Sequence, residues 1–285
     1  AAAVCYNSSG RPSVETPLHD AIQYRFVVHL HPAVVNGMTC GKSGREICAA
    51  LFPESHWVEY TNPGHTLAVR IKSEIAKFAK AGLNCPKVIF LQNHGVFVGA
   101  DTALELKKIY SEIMSKLTSY CRKKNIRTDL VVGEEADREA VTGLAPKLRS
   151  WLSQNAGRAA VTSCGYFKAA GGPLTPDHIV YSKSFALSSS SPDKTGIAKF
   201  AKANGYKPLV VELPSKAVFC AGESLKDSMT CLSLAKDAAL VEQIAEGFGG
   251  VNYLSKPQRS FIENWEVESY RKKVGAGSGG SLRNK

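Results

Sequence analysis

No apolar run in the 285 residues approaches the ~20 needed for a helix to span a bilayer, so no segment reads as a membrane helix. No C-x-x-C pair occurs among the eight cysteines, which are scattered from Cys5 to Cys231. That spacing argues against a thiolate metal site or a disulfide framework and for reduced thiols in a reducing compartment, hence the cytoplasm. The first ten residues, AAAVCYNSSG, carry no Lys/Arg-led apolar segment of the secretory kind. Acidic residues are the minority charge, 25 against 36 Lys and Arg, for a net charge of +11. The basic runs CRKKN (121–125) and YRKKV (270–274) lack the interleaved aromatics of RNA-binding motifs, so no nucleic-acid partner is expected. They fit solvated helix ends, where cations are favourable, and a positive field could also attract a phosphorylated substrate.

What is present is an ordinary globular composition, 44% hydrophobic and 21% charged, long enough to bury a core without disulfides. Short strand and helix patterns alternate to about residue 125. TPLHDAIQY reads as a helix with Thr16 as N-cap and Pro17 at its first position. RFVVHLH reads as a strand, SGREICAALF as a helix, and HTLAVRIKSEIAKFAKAG as a helix stopped by Gly82. KVIFLQ and VFVG read as buried strands around an Asn93-His94-Gly95 turn. A long helix then begins at a Thr102/Glu105 capping box. Residues 126–156 read as a helical connector. Residues 157–274 read as a second α/β half containing the strands HIVYSK and PLVVEL, a loop at SSSSPDKTG and a long helix from Ser224. Residues 275–285 read as a Gly/Ser linker, with something expected to follow. The segment VIFLQNHGVFVGADT (88–102) aligns without gaps on VVELPSKAVFCAGES (210–224), which suggests a degenerate internal repeat. Lys216 stands there in the place of His94.

Chemistry concentrates in the first 125 residues. A strand repeats every two residues, so His29 and His31 share one face, at the bite of a metal site. His94, in a turn at a strand end, supplies a third imidazole. Three neutral nitrogens leave a coordination position open, as at a catalytic zinc, and imidazole-only ligation suits Zn2+ best among divalent ions. Glu15, in a tight polar segment before a helix, is the candidate to move protons beside such a metal. His19 is expected to pack beneath the site. His56 and His65 are placed at the surface or around the site, and His178 at a strand start. Trp57, Trp151 and Trp265 read as core or interface anchors. Nothing selects Tyr60.

Three segments, PSVETPLH (12–19), VVHLHP (27–32) and LQNHGVFVGAD (91–101), resemble in order and rough spacing the signatures of the class II aldolase/adducin-like family. GPLTPDHIVY and FIENWEVESYRKKV are similar to the rhamnulose-1-phosphate aldolase domain found fused to a short-chain dehydrogenase. The resemblance implies a three-layer α/β/α domain with a second, related α/β half. It implies zinc on His29, His31 and His94, Glu15 as acid/base and Ser13 as a substrate-phosphate contact. The implied reaction is aldol cleavage of a ketose 1-phosphate, foremost L-rhamnulose 1-phosphate, to dihydroxyacetone phosphate and L-lactaldehyde. The alternatives are epimerisation of a sugar phosphate or cleavage of another ketose phosphate on the same site, and an adducin-like interaction domain without catalysis. The implied partners are the phosphorylated ketose, further copies in a homo-oligomer and a downstream dehydrogenase domain. Fourteen residues precede Glu15, too few for the family's Gly-Asn-x-Ser segment and Ser-Gly loop, and Val14 replaces a serine found in some members. Either the chain is a piece of a longer protein, or it lacks half of the family's phosphate site.

Overall fold

In a computed structural model, which describes residues 13–153 and 159–265, the chain divides into two compact units. One comprises residues 1–128 and 243–252, the other 129–242 and 253–285. The expected linker at 275–285 and the basic run at 270–274 lie outside the described residues.

The first unit runs α1 (Thr16–Ala21), β1 (Phe26–Leu30), α2 (Ala33–Thr39), α3 (Gly44–Leu51), β2 (His56–Val58), α4 (His65–Lys80), β3 (Val88–Leu91), β4 (Gly95–Ala100) and α5 (Ala103–Lys123). Its sheet has the order β1-β4-β3-β2, with β4 antiparallel to both neighbours and β2 parallel to β3. β4 is buried along its whole length, as its uninterrupted apolar sequence requires of a strand covered on both faces. One face carries Ile89, Leu91 and Phe97 against Leu18 of α1, Ile22 just after it, and Leu67, Ile71 and Ile75 of α4. These α4 positions recur every fourth residue, the stripe of a half-buried helix. On the other face α2 and α5 lie against β4, and Phe90 meets Phe52 at 5.1 Å between ring centroids. α5 starts where expected: Thr102 Oγ1 accepts from the Glu105 N–H. The Glu105 carboxylate pairs with Lys87 instead of reaching back, so half of the capping box forms.

The second unit runs α6 (Arg138–Leu152), β5 (Ala160–Cys164), α7 (Pro176–Ser182), β6 (Leu187–Ser188), α8 (Lys194–Asn204), β7 (Val210–Leu213), β8 (Ala217–Gly222), α9 (Leu225–Glu246, whose last residues are counted with the first unit) and α10 (Lys256–Glu263). Leu148 and Leu152 of α6 are buried in this unit's core with Val211, Leu213 and Phe219. Its sheet order, β5-β8-β7-β6, repeats the first one strand for strand, with the same parallel and antiparallel pairings. The turns also coincide at the 122-residue offset of the repeat. Asn93 and Ser215 both take positive φ, 53° and 64°. The next N–H closes the same turn in each, His94 to Leu91 O at 3.2 Å and Lys216 to Leu213 O at 3.1 Å.

Several local readings change. HIVYSK is no strand but the body of α7. Thr175 caps it by accepting from the His178 N–H, and Pro176 presets its first turn, so the Thr-Pro-Asp start outweighs the β-branched run. Glu15, not Thr16, is the N-cap of α1, which puts Pro17 one position later. PAVVNGMT after His31 forms α2, because Pro32 has no N–H to donate to a longer strand and suits the position before a helix. β2, β5 and β6 are strands of two to five residues, too short for their alternation to register in the sequence. The seven described cysteines are free thiols. No helix among the described residues is long and apolar enough to cross a membrane.

Candidate metal centre

Residues from three places in the first unit meet at one end of its sheet. Glu15, His29, His31 and His94 each bring one ligand atom, all within 4.8 Å of one another, the one such group among the described residues. His29 Nε2 lies 2.8 Å from His31 Nε2. The Glu15 Oε1 lies 3.5 Å from the Nε2 atoms of both His29 and His94. The His94 ring centroid is 5.1 Å from those of His29 and His31, well inside one side chain's length. Burial is deep at His29 and His94, whose side chains are 4% and 7% exposed.

Each orientation has a structural cause. His29 sits on β1 directly opposite Phe97 of β4, so both face the same layer. The two rings stack at 3.9 Å, 10° from parallel. The His29 Nδ1 is 3.0 Å from the Val96 carbonyl, an acceptor, so Nδ1 carries the proton and Nε2 presents a bare lone pair. His31 lies over Gly95, where a Cβ would come 2.3 Å from its Cδ2, so only glycine leaves room for that ring. His94 is aimed by the Asn93 backbone, in the left-handed region that asparagine tolerates better than most residues. Asn93 is buried and doubly tied: its N–H donates to Thr39 O at 3.1 Å and its Nδ2 to Asn252 O at 2.8 Å. Ser13 is exposed, and its Oγ accepts from the Glu15 N–H at 3.2 Å, just ahead of α1.

The electrostatics follow from this crowding. Burial pushes the Glu15 carboxyl up, but the His29 and His94 rings beside it outweigh this and hold the group well below the usual carboxylate range. Burial pushes His94 down to about 4, so its imidazole is neutral at pH 7. Two imidazole nitrogens 2.8 Å apart, one with its lone pair fixed inward, beside a carboxylate, form a donor set that a divalent cation satisfies. Nitrogen and oxygen donors without thiolate fit zinc and its first-row neighbours.

His19 stays outside the cluster and packs edge-on against Phe97 at 5.4 Å. His56 is on β2, against the Phe78 ring and 3.8 Å from Glu74. The Tyr60 N–H donates to Gln92 Oε1 at 2.8 Å, and burial pushes its phenol up to about 12. His178 is buried in the second unit and bonded to Asp237. Phe97, Gly95, Asn93 and Asn252 escape sequence reasoning as parts of the site. The Asn-His-Gly tripeptide holds a signal for two of them, since it pairs a residue tolerant of positive φ with one lacking a side chain.

The second unit shows what replaces the cluster. Matching strand registers put Ser163 at the place of His29 and Gly165 at that of His31. Lys216 takes the place of His94, and Asp137, N-cap of α6, that of Glu15, N-cap of α1. Lys216 Nζ and Asp137 Oδ2 lie 3.7 Å apart, an ion pair where the first unit has Glu15 and His94. A side chain at Gly165 would strike the Gly133 carbonyl at 1.9 Å.

Residues 2–117 match the model of the Class II Aldolase and Adducin N-terminal domain. Over 314 aligned positions the chain is 22% identical to a Bacillus subtilis (strain 168) protein named "Uncharacterized oxidoreductase YuxG". That match takes in 92% of this chain and 44% of the relative, so the chain spans less than half of that protein's length. No solved structure matches the chain.

Proposed function

We infer from this chain, whose residues 2–117 match the class II aldolase and adducin N-terminal domain, a metal-dependent lyase that cleaves a ketose 1-phosphate. The substrate we propose is L-rhamnulose 1-phosphate, released as dihydroxyacetone phosphate and L-lactaldehyde, with zinc on His29, His31 and His94. The observation that carries this reading is the convergence of three imidazoles and one carboxylate on a space of a few ångströms. A divalent cation there supplies Lewis acidity toward the oxygens of the ketose.

The protein's own residues do the rest. The Val96 carbonyl and the Phe97 ring lock His29 with its Nε2 inward. The Asn93 turn and Gly95 hold His94 and His31 to match, so the ligands are set before substrate arrives. Glu15 is 21% exposed, against 4% for His29 and 7% for His94, and its Oε1 stands beside both of their Nε2 atoms. A carboxylate so placed takes the proton of the substrate hydroxyl as the carbon–carbon bond breaks, which leaves the aldehyde, and returns it to the carbon of the dihydroxyacetone phosphate portion that keeps the bond's electron pair. Ser13 holds the backbone of Glu15 and contacts the substrate phosphate.

The name of the Bacillus subtilis relative and its greater length support a longer protein in which an oxidoreductase domain, proposed to be a dehydrogenase, accompanies this one; the cytoplasm and a homo-oligomeric state are further parts of the proposal. The test is direct. Purified chain is assayed for metal, then for release of dihydroxyacetone phosphate from L-rhamnulose 1-phosphate and other ketose phosphates. Glu15→Gln is expected to keep the metal and lose most turnover. Interconversion of sugar phosphates without triose release would mark an epimerase. Metal-free, folded, inactive protein would mark an adducin-like interaction domain.

A further inference from the structure

Two asparagines far apart in the chain meet beside the turn that carries His94, and neither is a candidate ligand. Asn93 is 1% exposed. Its Nδ2 donates to the Asn252 carbonyl at 2.8 Å, and Asn252 Nδ2 returns a weaker bond to Asn93 Oδ1 at 3.4 Å. One peptide plane separates Asn93 from the Cα of His94, so whatever fixes the first fixes the direction of the second.

Asn252 is brought there by the end of α9 and the residues after it, all within the first unit. Two glycines admit this segment: a Cβ at Gly37 would come 2.2 Å from Ile244 Cγ2, and one at Gly41 would come 2.4 Å from Phe248 Cβ. Phe248 is fully buried and stacks on Tyr120 of α5, 5.0 Å between ring centroids. An antiparallel bridge joins Gly41 to Val251. The Ser43 N–H donates to Phe248 O at 2.9 Å, the Lys42 N–H to Gly250 O at 2.8 Å and the Asn252 N–H to Cys40 O at 2.7 Å. The main chain at Asn252 is thus held by packing and by backbone bonds that do not involve Asn93.

The second unit shows that such a turn forms without this pair. Ser215, in the place of Asn93, has the same positive φ and is followed by the same closing hydrogen bond. It is exposed, and no hydrogen bond ties its side chain to another described residue. The residue its turn presents is Lys216, 56% exposed. The amide pair therefore accompanies the turn that aims an imidazole. A buried polar pair with its bonds made also favours one geometry over its neighbours.

We propose that Asn252 is a positioning residue of the metal centre. It pins the Asn93 amide, and through Asn93 it holds the His94 imidazole toward His29 and His31. The proposal rests on the reading of these three histidines as ligands.

The test measures zinc affinity of the full chain by competition with a chromophoric chelator, alongside urea unfolding. The parent, Asn93→Gly, Asn252→Leu and the double variant are compared. Glycine accepts the positive φ and removes the amide, so Asn93→Gly should bind zinc about tenfold more weakly. A residue needed only for its φ would leave the affinity unchanged. Asn252→Leu keeps the backbone carbonyl and removes one bond, for a loss of about threefold. Asn252→Ala, which cannot overpack, makes the same comparison should leucine prevent folding. Because Asn252 acts through Asn93, its replacement should cost nothing further in the Asn93→Gly background. In metal-free protein Asn252→Leu should speed hydrogen exchange of the His94 N–H and leave that of Lys216 unchanged. Parental zinc affinity in both single variants, additive losses in the double variant, or unaltered exchange at His94 would overturn the proposal and leave the ligand assignment standing. A parent that binds no zinc would remove the ligand assignment and the proposal together.

Discussion

Gly95→Ala puts the smallest possible side chain where the structure has least room for one. Its Cβ would lie 2.3 Å from His31 Cδ2 and 2.7 Å from the Leu30 carbonyl oxygen. Ordinary contact begins near 3.4 Å, so the imidazole must retreat by about 1 Å. Metal–ligand distances tolerate only about ±0.2 Å, so His31 is lost as a ligand or the strand must move. Disturbing a supporting group typically lowers metal affinity about 10–100-fold, and the loss of a whole ligand places this variant at the upper end. Overpacking adds a destabilisation of about 1–3 kcal/mol. The assay is competition for Zn2+ against a chromophoric chelator, with circular dichroism as the check on folding. Gly143→Ala is the control, since nothing lies within 4 Å of its Cβ, and it should leave zinc affinity unchanged. Folded Gly95→Ala protein with parental zinc affinity would refute the claim that His31 rests on this glycine as a ligand.

Metal analysis should find one ion per chain, because the second unit offers Ser163, Gly165 and Lys216 at the ligand positions; two ions per chain would contradict the strand correspondence. Phe97→Ala, at a fully buried ring, should destabilise the chain by about 3–5 kcal/mol in urea unfolding and weaken zinc binding by freeing the His29 ring. Thr175→Ala removes the cap of α7 and should lower stability by about 1 kcal/mol, with Thr175→Ser largely restoring it. Burial pushes the Cys48 thiol up to about 11, above the unfolded value near 9. The unfolded thiol therefore ionises first, and the stabilisation present below pH 9 is lost as pH rises toward 11. Comparison of unfolding free energies for the parent and Cys48→Ala across that window checks it, through a flatter slope in the variant.

The candidate ligands were legible because two short-range rules apply to them. Period-two alternation puts His29 and His31 on one face, and the Asn-His-Gly turn marks a strand end. α4 and α5 were legible for the same kind of reason, since a stripe repeated over four turns is hard to mistake. HIVYSK failed because its Ile-Val-Tyr core, three of six residues, suits a strand while the deciding signal, Thr175-Pro176, precedes it. β2 and β6, at three and two residues, carry too little pattern of their own and exist because β3 and β7 pair with them.

Local chemistry alone determined which residue types could hold a cation and that His29 and His31 share a face, for these depend on neighbours a few bonds away. Only the tertiary structure decided that His94 meets them, since this requires β4 to lie between β1 and β3 in one register. It also decided that Phe97 stacks on His29 and that Asn252 steadies Asn93 from 159 residues away. Cross-strand register and the return of a distant segment are set by packing of the whole core, and no periodicity within a single segment encodes them.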